Sequence, residues 1–272
     1  MSIWDRNMLE MFDYDFMQRA FVAGIFIAIL ASIGGTFVVL KRYSLISETL
    51  AHSALVGVAV GLVAGYNPMW VAVIVSILFA WLIEYLRSSF SLYSDAVLSI
   101  ILSGALALAV IIVSVGGSFN NSLFSYLFGS ILAVTTQDLY TIFIFGSFAL
   151  GFLVLFSKEL YFIAFDEEVA KTSGIKVQLL NFLLVSVIAI IIALSIRVVG
   201  SLLIGALMVI PAVSALQYRV GFKYTLLLSL AFAISSVIFG MIISYNFSLP
   251  SGATIVLSII AIFVTSLVVN KQ

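Results

Sequence analysis

The stretch VQLLNFLLVSVIAIIIALSI occupies residues 177–196 and contains no charged residue. A helix needs about 20 consecutive apolar residues to cross the hydrocarbon core of a bilayer. The apolar residues are continuous, whereas the strands of a membrane barrel alternate apolar and polar residues with a period of two. Because lipid offers the backbone no hydrogen bonds, such a run must be helical. The stretch therefore predicts a membrane-spanning helix.

Similar runs fill most of the chain. Of its 272 residues, 64% are hydrophobic and only 9% are charged, whereas about 25% of the residues of a soluble domain are charged. This composition excludes a soluble enzyme, a disordered chain and a nucleic-acid-binding protein. The charges and turn residues between the runs predict an all-α polytopic membrane protein, a single domain over 1–272, with nine spans near 17–40, 47–65, 69–87, 94–115, 138–157, 177–197, 200–217, 223–245 and 250–270.

Two segments need separate interpretation. The first apolar run is followed by no small-x-small cleavage site before Lys41, so we expect a retained span and not a signal peptide. The apolar part of 118–136 is too short to cross a bilayer and predicts a short surface or re-entrant helix.

With nine spans, nine of the Lys and Arg residues lie on one side of the membrane and three on the other, which predicts that the first side is cytoplasmic.

Glu48 and His52 are the polar pair most suggestive of function. They are four residues apart and share one face of the second predicted helix, and ionisable residues inside a membrane usually mark a transport pathway. A carboxylate with an imidazole suits zinc, manganese or ferrous iron, although two ligands do not complete a tetrahedral site. The alternative is structural: Glu48 pairs with Lys41 or Arg42, and His52 is hydrogen-bonded in the core.

Other charged residues lie near the ends of spans. Arg197 is expected to extend its charge to the membrane interface, as long basic side chains do. Glu84, Asp95 and Asp138 are expected to be interfacial caps or members of charge pairs.

The seventh predicted span contains helix-disturbing residues at Gly200, Gly205 and Pro211. Proline removes a helix hydrogen bond and glycine removes bulk. An interrupted helix of this kind is common in transport pathways. A kink that serves close packing explains the pattern equally well.

The most polar internal stretch is FDEEVAKTSGIK at 165–176. Asp166 is placed to cap a short helix and Gly174 to end it. Such a helix suits docking of a soluble partner, and a solvated loop is the alternative. The chain has no GxxxxGK[ST], HExxH or GxSxG motif, so any energy for active transport must come from another chain or from an ion gradient.

Taken together, the motifs resemble one family over essentially the whole chain. They are KRYSLISETLAHSALVGVA at 41–59, SYLFGSIL at 125–132, the 166–174 loop and the 199–212 segment, in that order. The chain resembles the membrane permease subunits of the ABC importers for zinc, manganese or iron, the ABC-3 type metal permeases. This resemblance implies a fold similar to that of the vitamin B12-type importers and a location in the bacterial cytoplasmic (inner) membrane.

The resemblance also implies roles for individual residues. Glu48, where the family usually has Asp, and His52 would transiently bind the metal ion during transport. A coupling loop near 158–176 would dock into the ATPase subunit. Its docking residues would be Asp166, Glu167, Ala170 and Gly174, whereas Gly200, Gly205 and Pro211 would pack the pathway helices.

The same resemblance implies a complex of two permease copies, two ATPase copies and an extracytoplasmic metal-binding protein. The permease itself would be no enzyme and would hold no permanent cofactor, because the divalent ion is its cargo. Two alternatives remain: a stand-alone channel or ion-coupled carrier, which needs no ATPase, and a purely structural membrane subunit, which needs neither Glu48 nor His52.

Overall fold

The computed structural model describes residues 11–89, 94–116, 121–130 and 133–269, without the side chains of 94 and 121–124. Arg6 and Lys271, which contribute to the predicted orientation, and residues 118–120, 131–132 and 270 of the predicted segments lie outside these ranges. After a short 3-10 turn at Met11–Asp13, the helices are α1 Asp15–Leu40, α2 Leu45–Ala64, α3 Pro68–Ser89, α4 Ser94–Val115, α5 Asn121–Phe128, α6 Thr136–Leu155, α7 Ser157–Phe165, α8 Glu167–Thr172, α9 Val177–Val199, α10 Ile204–Leu216, α11 Phe222–Phe247 and α12 Ser251–Val269.

Eight of these helices are long and apolar enough to cross a membrane: α1, α2, α3, α4, α6, α9, α11 and α12. The all-α polytopic fold is therefore confirmed. The remaining predicted span, near 200–217, is the 13-residue helix α10, which is shorter than the about 20 residues that a full span needs. The predicted short helix between the fourth and fifth spans is confirmed as α5.

Helices α2 and α9 form the centre of the bundle, since 78% of the apolar 18-residue stretch of each helix is buried. Small residues on α2 explain its close packing, because glycine lets neighbouring backbones approach. A Cβ atom on Gly57 would lie 2.5 Å from the Cα atom of Ala72 in α3. This close approach packs α2 tightly against α3.

The backbone between the end of α9 at Val199 and the start of α10 at Ile204 is not α-helical. Gly200 has φ +91°, which residues with a Cβ rarely adopt, and a Cβ there would lie 2.4 Å from the carbonyl oxygen of Leu127. The following backbone N–H groups of Ser201 and Leu202 donate to the carbonyls of Tyr126 and Leu127, at 2.8 and 3.2 Å. The end of α5 therefore satisfies backbone groups that a continuous helix would have paired internally.

Candidate functional site

Glu48 and His52 lie in the first turns of α2, at its junction with the turn that follows α1. Glu48 is exposed, although almost all other residues between Ile46 and Gly61 are buried. His52 is 6% exposed, and its Nδ1 atom has no hydrogen-bond partner among the described residues. A buried polar atom without a partner is costly and calls for an explanation. The pair thus presents an open carboxylate beside an unsatisfied imidazole.

The structural alternative for this pair is not found in the described part of the chain. The ion pairs there join Arg87 to Glu84 and Arg197 to Asp138, and neither involves Glu48. Lys41, one of the two expected partners of Glu48, instead donates a hydrogen bond to Asn181. Glu48 therefore keeps its carboxylate free of a basic partner within these residues.

The first turn of α10 lies against Glu48. A Cβ atom built on Gly205 would lie 3.5 Å from Ser47 Oγ and 3.8 Å from Glu48 Cβ, which is ordinary van der Waals contact. Pro211, one turn and a half later, is buried inside the helix and does not end it. The structure thus brings Gly205 next to Glu48 and keeps Gly200 at the α5 contact, so the three predicted packing residues have separate surroundings.

One chain does not offer a complete metal site. Among the described residues, no group of three or more His, Asp or Glu side chains converges closely enough to hold an ion. Glu48 and His52 supply two donors of the kinds that zinc, manganese and ferrous iron accept. A stable site at this position would need donors from outside the chain.

The predicted coupling loop near 158–176 forms two short helices, α7 and α8. Asp166 caps α8, because its Oδ1 atom accepts a hydrogen bond from the Val169 N–H at 3.0 Å. Gly174 has φ +85° and follows the last turn, as expected of a residue that ends a helix. The predicted cap and stop of this helix are confirmed.

The four predicted docking residues differ in burial. Ala170 is fully buried against Ile163, Val177 and Leu180, and it fixes α8 to the start of α9. Asp166, Glu167 and Gly174 are exposed. Phe165 beside them is 81% exposed. This arrangement presents a polar helix and an aromatic side chain on a surface anchored by one alanine.

Asn181 joins this loop to the end of α1, a contact that sequence reasoning missed. Its side-chain oxygen accepts from Lys41 Nζ, and its Nδ2 donates to Glu167 Oε1 at 3.3 Å. Burial lowers the pKa of Lys41 to about 8, and the Glu167 carboxylate opposes this change. The sequence signal for this contact is the lone amide of Asn181 near the start of an apolar span, since polar side chains in such spans usually bond to another helix.

The expectation that Arg197 extends its charge to the membrane interface is wrong, because its guanidinium binds three other residues. Its guanidinium lies 3.3 Å from the Asp138 carboxylate, donates to the Ala133 carbonyl at 3.0 Å and also bonds to the Tyr126 hydroxyl. Asp138 forms a capping box with Thr135 at the start of α6. The expected cap and charge-pair roles of Asp138 are confirmed, and so is the charge pairing of Glu84, which binds Arg87.

The model of the ABC 3 transport family matches residues 13–270. The chain belongs to the ABC 3 transport family. It is thus a metal permease of the ABC-3 type, and the family resemblance read from 41–59 and the other motifs is confirmed.

Relatives with curated names share most of the length of this ABC-3 permease. It is 38% identical to a "Probable metal transport system membrane protein" of Treponema pallidum, over 93% of this chain and 95% of that protein. It is 32% identical to the manganese import system permease protein ScaB of Streptococcus gordonii, over 93% and 91%. The manganese transport system membrane protein MntC of Listeria monocytogenes is 29% identical, over 95% and 92%.

Solved structures give the same fold. The structure entitled "PsaBC from Streptococcus pneumoniae in complex with Fab" contains a chain 30% identical to this one, with a TM-score of 0.86 and coverage of 96% of this chain and 95% of that one. The structure entitled "An inward-facing conformation of a putative metal-chelate type ABC transporter" shows the fold at 18% identity, with a TM-score of 0.69 and coverage of 92% and 84%. The ABC-3 permease thus has the architecture of an ABC permease.

Proposed function

We propose that this ABC-3 permease is the membrane subunit of an ATP-driven importer that carries a divalent transition metal ion, foremost manganese, into a bacterial cell. The observation that carries this proposal is the exposed Glu48 one turn from the buried, unsatisfied Nδ1 of His52. Manganese is named first because relatives such as ScaB and MntC carry it in their names. Zinc and iron are the other ions to test, since the same donors accept them.

The ion passes between two copies of the permease. One chain contributes two donors, and two facing copies would contribute two carboxylates and two imidazoles. The free carboxylate of Glu48 supports this arrangement, because an unpaired charge facing lipid would be expensive. Four donors of mixed type are enough to complete the coordination of a transition metal ion.

The energy for transport comes from a separate ATPase subunit that docks at the 158–176 loop. The exposed residues Asp166, Glu167 and Gly174 belong to its docking surface, whereas Ala170 fixes α8 from below. An extracytoplasmic metal-binding protein delivers the ion on the opposite side. Gly200, Gly205 and Pro211 shape the helix that borders the pathway next to Glu48.

Uptake measurements test this proposal. The permease is reconstituted in liposomes with a candidate ATPase subunit and a candidate metal-binding protein, and uptake of manganese, zinc and iron is measured with ATP or with a non-hydrolysable analogue. We expect uptake of at least one ion that requires ATP hydrolysis. Uptake without ATP would contradict the importer and favour a channel or an ion-coupled carrier.

Substitutions then assign the pathway. Glu48→Gln and His52→Ala should each lower uptake by more than about tenfold, since loss of even an outer partner of a metal ligand costs about 10- to 100-fold. Asp95→Asn is the matched control, because Asp95 is an exposed carboxylate in the first turn of α4. Normal uptake in both pathway variants would refute the assignment of Glu48 and His52.

A further inference from the structure

A cluster of polar side chains joins the α8 helix to three membrane helices. It lies at the end of α1, the end of α3 and the start of α9. We refer to it as the polar cluster, and its members are Lys41, Tyr43, Glu84, Arg87, Glu167 and Asn181.

Asn181 is the central member of the polar cluster. It is 2% exposed, and its amide bonds to both neighbours: the oxygen accepts from Lys41 Nζ, and the nitrogen donates to Glu167 Oε1 at 3.3 Å. Through this single amide, α8 is linked to the residue that directly follows α1. The link crosses 140 residues of sequence between Lys41 and Asn181.

The charges of the polar cluster balance only while Glu167 is in place. Arg87 binds Glu84 through two hydrogen bonds of 2.5 and 3.0 Å, so these two charges neutralise one another. Glu167 is then the carboxylate that remains to balance Lys41, whose charge is penalised by burial. Displacement of α8 would leave a partly buried cation unbalanced, and such a state is expensive.

Tyr43 connects the two cations. Its ring centroid lies 5.8 Å from Lys41 Nζ and 5.3 Å from Arg87 Cζ, which is within the range of cation–π attraction. A cavity of about 590 Å³, lined in part by Arg87, Glu167 and Asn181, borders the cluster beside α8.

A short, well-bonded turn connects the polar cluster to Glu48. The Tyr43 N–H donates to the Val38 carbonyl, and the Ile46 N–H donates to the Tyr43 carbonyl, both at 2.9 Å. Ser47 Oγ donates to the Ser44 carbonyl at 2.8 Å. Because these bonds leave the turn little freedom, a displacement of Lys41 is passed to the first turn of α2.

We propose that the hydrogen-bonded path from Glu167 through Asn181 to Lys41 is a positioning device that fixes the first turn of α2, and with it Glu48, to the position of the ATPase-docking helix α8. The proposal rests on the function proposed above. Asn181, Lys41 and Glu167 act here through α2 and contact no transported ion. Movement of α8 by the ATPase would release or restore this path and so change the access of Glu48.

Hydrogen–deuterium exchange of the purified full-length permease tests the physical link without any transport. We expect Glu167→Ala to raise the exchange rate of the backbone amides at 41–48 by about two- to fivefold, because alanine removes both the acceptor of the Asn181 hydrogen bond and the charge that attracts Lys41. Glu168→Ala is the matched control, since Glu168 is the exposed neighbouring carboxylate on the same helix. Unchanged exchange at 41–48 in Glu167→Ala would overturn the proposal.

Transport per ATP hydrolysed tests the role of the link. The double variant Lys41→Met/Asn181→Leu replaces the buried polar pair by an apolar pair, which is often neutral for stability. We expect its complex with the ATPase subunit to assemble and to hydrolyse ATP, but to import at least about fivefold less metal per ATP than the wild-type complex. An unchanged ratio would overturn the positioning role.

The two experiments separate this inference from the proposed function. If the wild type imports no metal with ATP, the proposed function fails, whereas the exchange experiment still decides whether α8 and α2 are linked. If the wild type imports metal and exchange at 41–48 does not respond to Glu167→Ala, the link fails and the importer stands.

Discussion

Glu48 and His52 lie one helical turn apart on α2, and only the carboxylate of Glu48 is exposed, whereas His52 Nδ1 is buried without a hydrogen-bond partner among the described residues. A purely structural pair would bond internally, because an unsatisfied buried group costs about 1–3 kcal/mol. The geometry is instead that of a carboxylate and an imidazole available to a ligand.

Shortening Glu48 should change the preference among metals. Glu48→Asp keeps the charge but withdraws the carboxylate by one methylene, which widens a site formed between two copies. Zinc needs short bonds of about 2.0–2.2 Å to nitrogen and oxygen, so we expect zinc uptake to fall more than manganese uptake. Competitive uptake of the two ions measures the ratio, and an unchanged ratio in Glu48→Asp would contradict a direct contact with the ion.

Gly205 should tolerate a methyl group but not a long side chain. A Cβ there meets Ser47 and Glu48 at ordinary contact distances, so Gly205→Ala should import metal at nearly the wild-type rate. Gly205→Leu should displace the first turn of α2 and lower import by about tenfold, because a misplacement of about 1 Å can cost more than that. Gly104→Leu is the control, since a Cβ on Gly104 meets nothing within 4 Å. Equal import by the two Gly205 variants would argue against the contact with Glu48.

Coupling should depend on pH on the α8 side of the membrane. Because the pKa of Lys41 is lowered to about 8, this side chain is protonated below that pH and attracts Glu167, and it becomes neutral above it. We therefore expect metal import per ATP to decline as the pH on that side rises through about 8. Lys41→Arg should abolish the decline, because arginine stays protonated throughout. The same decline in Lys41→Arg would exclude Lys41 as its source.

The backbone conformation of Gly174, and not its lack of bulk, should matter for coupling. Its φ of +85° is strained for residues with a Cβ, while a Cβ would meet nothing within 4 Å. A β-branched residue is poorly compatible with this conformation, whereas asparagine tolerates it. We expect the complex of Gly174→Val with the ATPase to import several-fold less metal per ATP hydrolysed, and that of Gly174→Asn to stay close to the wild type. If both variants behave alike, the left-handed conformation is unimportant for docking.

The fold could be predicted from sequence because charge-free runs leave helices as the sole option in lipid. The prediction of 47–65 for the second span, for example, meets a helix at Leu45–Ala64. The predicted length of the span near 200–217 was too great, since the helix there has 13 residues. Its first residues are not helical because Gly200 takes a positive φ to pack against α5. That contact joins distant parts of the chain, and periodicity carries no information about it.

The candidate site was accessible to sequence reasoning only in part. Glu48 and His52 stand out because ionisable residues are rare in apolar runs. The partners of Arg197 could not be found, since Ala133 and Tyr126 are 64 and 71 residues away in sequence. Asn181 gave only the weak signal of one amide in an apolar span, and its two bonds depend on how α1, α8 and α9 meet.

Pulsed electron paramagnetic resonance of Mn²⁺ bound to the purified permease–ATPase complex tests most directly whether His52 lies in the metal pathway. We expect one Mn²⁺ for every two permease chains, with a hyperfine coupling to an imidazole nitrogen that disappears in His52→Ala. His52 is the single histidine of the permease chain, and a Mn²⁺ signal from the ATPase subunit would survive this substitution. Bound Mn²⁺ whose nitrogen coupling is absent from the wild type, or unchanged in His52→Ala, would contradict the proposed pathway.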